Sequence, residues 1–323
     1  MIVDLPNTTT AKISKALVRI REEGGAVALG RVLTLIIATE FGNEEEAIQA
    51  ANDASREHPM RVLVVSTSGT AADSEEESRV DAQIRVGGDA GASEVIVVTA
   101  HGDAALDQES LVTGLLLPDA PVVAWWPGEA PASASESPLG RIAQRRITDA
   151  ASNANPLDAM HRMCKTYVPG DTDFAWTRLT LWRAQLAAVL DQPPFEPITA
   201  VTVSGAADSP STMLLAAWLQ MQLKVKVSLE VADGSPVPSG IHAVIMERKS
   251  GTITLERNIA SIATLTQPDQ PVHDISLPRR NLRDCLAEEL RRLDPDSLFG
   301  DVVRRGVSEI TGIEIDTSTK AKN

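Results

Sequence analysis

Cysteine, aromatic residues, basic charge and long apolar runs are all scarce in this sequence, and each scarcity removes a class of protein. The only cysteines, Cys164 and Cys285, stand far apart in a chain of 323 residues. They make no disulfide framework and no CxxC, so a reducing, cytoplasmic location is expected. Acids outnumber bases by 44 to 30, a net charge of −14. Nucleic acids are bound through Lys and Arg that displace counterions, so no nucleic-acid partner is expected. An anionic membrane surface is disfavoured for the same reason. The longest apolar runs, such as Leu33–Ala38, have the length of strands and are too short to span a bilayer. The first residues, MIVDLPNTTTAKI, show no basic stretch followed by an apolar one, so no secretory signal is expected. What remains is ordinary: 43 % hydrophobic and 23 % charged residues, enough at this length for two domains that each bury a core.

The pattern along the chain supports an α/β reading. Thr8, Thr9 and Thr10 offer a hydroxyl cap to a helix whose Ile13, Leu17 and Ile20 recur at helical spacing and which Gly24 and Gly25 end. Arg31–Thr39 and Arg61–Thr67 read as strands buried on both faces. Between them runs a helix capped by Asn43, with Glu44, Glu45 and Glu46 at its positive end. A strand–helix–strand order of this kind gives a parallel pair. Asp81–Val86 reads as an outer strand, Glu94–Thr99 and Pro121–Trp126 as further core strands, Glu109–Leu117 as a short helix, and Gly128–Pro138 as a surface loop. Helices at Pro156–Thr166 and Asp173–Leu190 form a link. Strand Ala200–Ser204, helix Ser211–Leu223 and strand Lys226–Glu230 then repeat the rhythm. An antiparallel meander through Ala243–Leu277 follows, and helices at Asn281–Leu293 and Ser297–Arg305 come last. The expected fold is therefore two α/β domains built of mostly parallel strand–helix–strand units, the second with an added antiparallel meander. Their expected bounds are 1–168 and 169–312, with 313–323 as a polar, disordered tail.

Motifs of known chemistry are missing. There is no GxxxxGK[ST], no GxSxG, no HExxH, and no GxGxxG after a strand, since Gly87, Gly88 and Gly91 are wrongly spaced. The five histidines are scattered. No catalytic residue, cofactor or metal is expected. Three local features invite a functional reading beside a plainer one. Ser66, Ser68, Gly69 and Thr70 follow a buried strand and offer hydroxyls and N–H groups to a phosphate, or make a polar turn. Asp158, His161 and Cys164 share helical spacing, but three or four converging ligands are needed for a metal. The two cysteines fall in predicted helices, where burial is the better reading than redox sensing.

The aromatic residues are few but grouped. Successive strand residues point to opposite faces, so one of Trp125 and Trp126 is expected in the core and the other outward or in a cleft. Asp173 is a plausible N-cap of a helix on which Arg178 and Trp182, four residues apart, stack. Trp and Arg dominate interface hot spots, which makes Trp126, Arg178, Trp182 and Arg183 candidate partner-binding residues. Arg279 and Arg280 join them, preceding a helix whose Leu282, Leu286, Ala287, Leu290 and Leu293 form an apolar stripe. Core packing is expected for Trp176 and Trp218.

Four long phrases, in order, resemble one family. VVAWWPGEAP (Val122–Pro131), RRITDAA (Arg145–Ala151), DTDFAWTRLTLWRAQLAAVLDQPPFEP (Asp171–Pro197) and RRNLRDCLAEELRRLDPD (Arg279–Asp296) are similar to the OpcA family of glucose-6-phosphate dehydrogenase assembly proteins. The resemblance implies a non-catalytic partner that associates with glucose-6-phosphate dehydrogenase and activates it at the start of the oxidative pentose phosphate pathway. It carries no catalytic residue across. Thiols are linked to redox control of the enzyme in cyanobacterial relatives, and the resemblance assigns none of them to Cys164 or Cys285. A homo-oligomer is compatible with this reading. The alternative is a sugar-phosphate-binding enzyme or metabolite sensor that uses the Ser66–Thr70 turn.

Overall fold

The computed structural model describes residues 1–23, 30–67, 77–87, 94–232 and 240–311. The chain divides into two units. The first comprises Met1–Asp149, Gly170–Thr172 and Asn281–Pro295, and the second comprises Ala150–Pro169, Asp173–Arg280 and Asp296–Asn323.

The first unit runs β1 (Ile2–Leu5), α1 (Thr10–Glu23), β2 (Leu33–Glu40), α2 (Glu44–Ala54), β3 (Met60–Thr67), β4 (Arg79–Val86), β5 (Glu94–His101), α3 (Gln108–Thr113), β6 (Val122–Trp125), α4 (Pro138–Arg141), β7 (Arg145–Thr148) and β8 (Asp171–Asp173). Its eight-stranded sheet has the order β1-β4-β5-β3-β2-β6-β7-β8. The five strands from β5 to β7 are parallel to their neighbours, while β4 and β1 extend the sheet antiparallel. This is a doubly wound, Rossmann-like arrangement whose strand order reverses between β2 and β6. Both faces of β2 and β3 are buried, as their unbroken runs of Leu, Ile and Val require. The cap expected from the threonines is made by Thr9, whose Oγ1 accepts from the Lys12 N–H at 3.3 Å. Gly24 and Gly25 lie outside the described residues. Asn43 occupies the N-cap of α2 but makes no side-chain cap bond.

Strand β7 contradicts the usual assignment of charge to the surface. All four of its residues, Arg145 and Arg146 included, are buried. Arg145 donates to Glu289 at 2.5 Å and to the Asp294 carbonyl at 2.9 Å. Arg146 pairs with Asp171 and donates to the Ala143 carbonyl at 2.8 Å. Beside it Gly170 adopts φ +100, and a Cβ there would lie 2.6 Å from the Gln144 carbonyl oxygen, so only glycine fits. The helix Leu282–Arg291 belongs to this same unit. It presents Cys285, Leu286, Ala287 and Leu290 as its buried face and packs on α2.

The second unit contains α5 (Pro156–Thr166), α6 (Phe174–Thr177), α7 (Thr180–Leu190), β9 (Ile198–Gly205), α8 (Pro210–Leu223), β10 (Val227–Val231), β11 (Ile241–Arg248), β12 (Gly251–Ile259), β13 (Ile262–Thr266) and β14 (His273–Ser276), followed by helical turns at Ser297–Asp301, Val302–Gly306 and Val307–Thr311. The sheet order is β10-β9-β11-β12-β13-β14, with β9 and β10 parallel across α8 and the rest antiparallel. The expected two α/β folds, with a meander in the second, are therefore both present. Helix α8 has almost no polar face, and nine of its residues from Pro210 to Leu219 are buried. It is packed by the sheet on one side and by helical segments on others.

The single helix expected over 173–190 is instead two. Asp173 does cap the first, its Oδ1 accepting from the Ala175 N–H at 2.8 Å. The break follows because side chains occupy the carbonyls that a continuous helix would use. Ser211 Oγ donates to the Ala175 carbonyl at 2.9 Å, and Arg280 Nη1 donates to that of Thr177 at 3.0 Å. The Leu179 N–H turns back to the Trp176 carbonyl at 2.9 Å, closing a tighter turn.

Candidate functional site

The expected aromatic anchors lie inside. Trp125 and Trp126 are 0 % and 5 % exposed, so neither faces outward. Trp126 shares an apolar cluster with Ala134 and Leu139, because the loop after β6 folds over it. Trp182 is 1 % exposed within the second unit's core, as is Trp176 at 2 %, while Trp218 is partly buried against that core. The stacking partners also differ from expectation. With the helix broken at Thr177, Arg178 lies 5.9 Å from the Phe174 ring centroid instead of over Trp182. Arg183 stacks on Trp176 at 3.8 Å. The guanidinium over Trp182 is that of Arg257, at 5.0 Å, from strand β12.

Beside Trp182 the second unit forms a partly open cavity of about 300 Å³. Among the described residues four arginines line it, Arg178, Arg257, Arg279 and Arg280, with one carboxylate, that of Asp208. Three of the four were singled out from sequence, but Arg257 was not; nothing local to RNIAS marks it. Arg257 is 5 % exposed, and its Nε has no hydrogen-bond partner among the described residues. Burial, and the guanidinium of Arg279 beside it, pull its pKa down to about 10, so it remains a cation at neutral pH. Arg280 is anchored by its bond to the Thr177 carbonyl. The remaining wall includes Ser209, Pro210 and Ser211, which open α8. Ser209 Oγ caps that helix by accepting from the Thr212 N–H at 3.1 Å. The turn is compressed: a Cβ on Gly205 would stand 2.3 Å from Thr212 Oγ1.

The first unit arranges its equivalent positions in the opposite way. In a Rossmann-like sheet a dinucleotide would lay its pyrophosphate on the helix that follows the first central strand, over a glycine-rich turn. Here that helix is α2, and its first turn carries Glu44, Glu45 and Glu46. Three carboxylates repel a pyrophosphate, and no GxGxxG is present, so these residues do not fit a dinucleotide. Ser66, at the end of β3, is fully buried and donates to Glu44 Oε1 at 2.5 Å. That places a carboxylate where a phosphate would have to sit. Ser68, Gly69 and Thr70 lie outside the described residues.

Cys164 and Cys285 are both buried and unpaired with each other. Burial, reinforced by Asp173, pushes the Cys164 thiol up to about 12. His161 has its pKa lowered by burial, and among the described residues no three His, Cys, Asp or Glu side chains gather to hold a metal.

Residues 51–165 match the family described as the glucose-6-phosphate dehydrogenase subunit N-terminal domain, and residues 169–303 match the corresponding C-terminal domain. The chain belongs to the OpcA family. No curated protein sequence matches it. Among solved structures, the transcriptional regulator Gal80p of Kluyveromyces lactis is similar at 8 % identity and a TM-score of 0.50, over 90 % of this chain and 95 % of that one. An oxidoreductase from Sinorhizobium meliloti is similar at 9 % identity and a TM-score of 0.45, over 86 % and 95 %. At such identities the OpcA chain shares a fold with Gal80p and nothing more is implied. No helix among its described residues is long and apolar enough to cross a membrane.

Proposed function

We propose that this chain is a non-catalytic assembly factor and allosteric activator of glucose-6-phosphate dehydrogenase, acting in the cytoplasm at the first step of the oxidative pentose phosphate pathway. One observation carries the reading. Two successive domain matches span 51–303, and both are to domains described as parts of a subunit of that enzyme. An accessory protein raises activity only by binding the active state of its partner better than the alternatives. A coupling of roughly 1–3 kcal/mol changes affinity or the active population by about 5- to 150-fold. An interface on the order of 1,600 Å² is enough for a stable complex.

The net charge of −14 disfavours long-range attraction to an acidic partner, so the contact is proposed to rest on apolar groups and exposed arginines such as Arg279. Trp126 and Trp182 serve this reading through the cores they fill, since their rings are buried. The test is to mix the purified chain with its cognate dehydrogenase. Co-elution on a sizing column, with a rise in activity at limiting glucose 6-phosphate, is the expected outcome. Separate elution with unchanged kinetics would overturn it.

A further inference from the structure

We propose that the arginine-lined cavity of the second unit binds a small phosphate monoester. The cavity, at about 300 Å³, has the size at which small-molecule sites begin. Its charge suits an anion: among the described residues four arginines line it with one carboxylate, and Asp208, which carries that carboxylate, is itself exposed. A guanidinium taken out of water without an acceptor is costly, so a buried arginine is normally paired. Arg257 is 95 % buried by its 5 % exposure, and no carboxylate or carbonyl among the described residues receives its Nε. A ligand oxygen supplies the missing acceptor.

A second feature converges on the same space. Helix α8 is fourteen residues long, has no acid in its first turn, and begins at the cavity wall through Ser209, Pro210 and Ser211. It follows β9 in a β9–α8–β10 parallel unit, which places its positive end beyond the carboxyl end of a strand, where open α/β sheets hold ligands. Arg257, whose Nε meets no acceptor among the described residues, together with the helix N-terminus matches a dianion with three acceptor oxygens. The rest of the wall is apolar: Pro156 and Pro278 offer accessible surface to a carbon skeleton, and the nearly buried Trp182 and Ile241 also line it. A phosphate carried on such a skeleton fits both halves of the lining.

The full chain is titrated by calorimetry with glucose 6-phosphate, ribose 5-phosphate, inorganic phosphate and unphosphorylated glucose, at constant ionic strength. At least one ester is expected to bind, glucose is not, and inorganic phosphate is expected to bind at least 10-fold more weakly than that ester. Arg257→Gln and, separately, Arg279→Gln are expected to weaken ester binding by 10-fold or more. Arg279 is exposed, so the second variant keeps the test valid if the first does not fold. Arg79→Gln, in the first unit, leaves binding unchanged. Absence of ester binding overturns the proposal, as does binding indifferent to Arg279. Inorganic phosphate binding as tightly as the esters overturns the role of the apolar wall. A glutamate-rich peptide that binds through Arg257 while no ester does assigns the cavity to a protein segment and removes the small-molecule reading.

Discussion

Each unit holds a cluster of arginines around one buried guanidinium, Arg61 in the first and Arg257 in the second, and the two clusters are solved in opposite ways. In the first unit Glu94 is 1 % exposed and gathers three guanidiniums, with Arg21 and Arg31 each at 2.9 Å and Arg61 at 2.8 Å. Arg61 also donates to the Leu115 carbonyl at 2.5 Å. The second unit gathers four arginines around a cavity, and among the described residues no acceptor meets the Nε of Arg257. A buried charge with its counter-charge in place holds secondary structure together; here Glu94 ties α1 to the first residues of β5 and β3. A buried charge without one is a standing cost that folding alone does not explain. The difference separates a cluster made for stability from one left open.

The largest expected effect breaks the closed cluster. Glu94→Gln removes the one carboxylate shared by three arginines and strands Arg61 in the interior, at a cost of about 3–5 kcal/mol. Urea unfolding reads this as a lowered midpoint at constant slope. A loss below about 1 kcal/mol would mean that water reaches Arg61 and that the clusters do not differ in kind. Trp182→Ala attacks the open cluster at its base. The indole is fully packed and carries Arg257 on its face, so truncation is expected to cost about 3–5 kcal/mol. A variant of unchanged stability that fails only to bind the dehydrogenase would restore the surface-anchor reading of Trp182.

How much of this was legible beforehand follows from what burial does to each residue type. Strands β2, β3 and β5 were readable because runs of Val, Ile and Leu leave few other options. β7 was not, because its two arginines look like surface residues until Glu289 and Asp171, distant in sequence, arrive to pair with them. The break between α6 and α7 was equally hidden, since it is made by Ser211 and Arg280 donating from elsewhere. At the cavity, Arg178, Trp182, Arg279 and Arg280 stood out by local clustering, whereas Arg257 sits alone on a meander strand. Its importance is set by the missing acceptor, which no linear pattern encodes.

A third kind of buried group sharpens the comparison, one that can shed its charge. The Cys164 thiol is held neutral by burial and by Asp173, its pKa raised from 9.0 to about 12. The sign follows from linkage. In the unfolded chain the thiol ionises near pH 9, in the folded one near 12, so the unfolded state is favoured increasingly across that window. Stability is complete below pH 9 and falls by about 1.4 kcal/mol per pH unit above it from this group. Between pH 9 and 10.5 the wild type should lose about 2 kcal/mol more than Cys164→Ala. Equal alkaline slopes for the two would show the thiol to be solvated. The same neutrality predicts that iodoacetamide leaves Cys164 unmodified in the folded protein at pH 7.5, because the thiolate is the nucleophile.

The smallest effect decides the comparison, because its sign is opposite to the rest. Arg257→Met keeps length and apolar volume and deletes the unpaired charge. Against it stands the loss of the Arg257–Trp182 stack, worth about 1–2 kcal/mol for a desolvated pair. Desolvation of an uncompensated guanidinium costs several kcal/mol, and repulsion from Arg279 adds to it, as its lowered pKa reflects. The cost exceeds the stack, so the ligand-free variant should be more stable than the wild type by about 0.5–2 kcal/mol, a gain typical of relieving functional strain. Arg61→Met, in the closed cluster, should move the other way, since it leaves Glu94 with fewer of the cations that offset its burial. Two substitutions of the same chemistry, opposite in sign, would establish that one cluster is complete as folded and that the other is waiting for an anion; a loss at both would make Arg257 a structural residue like Arg61.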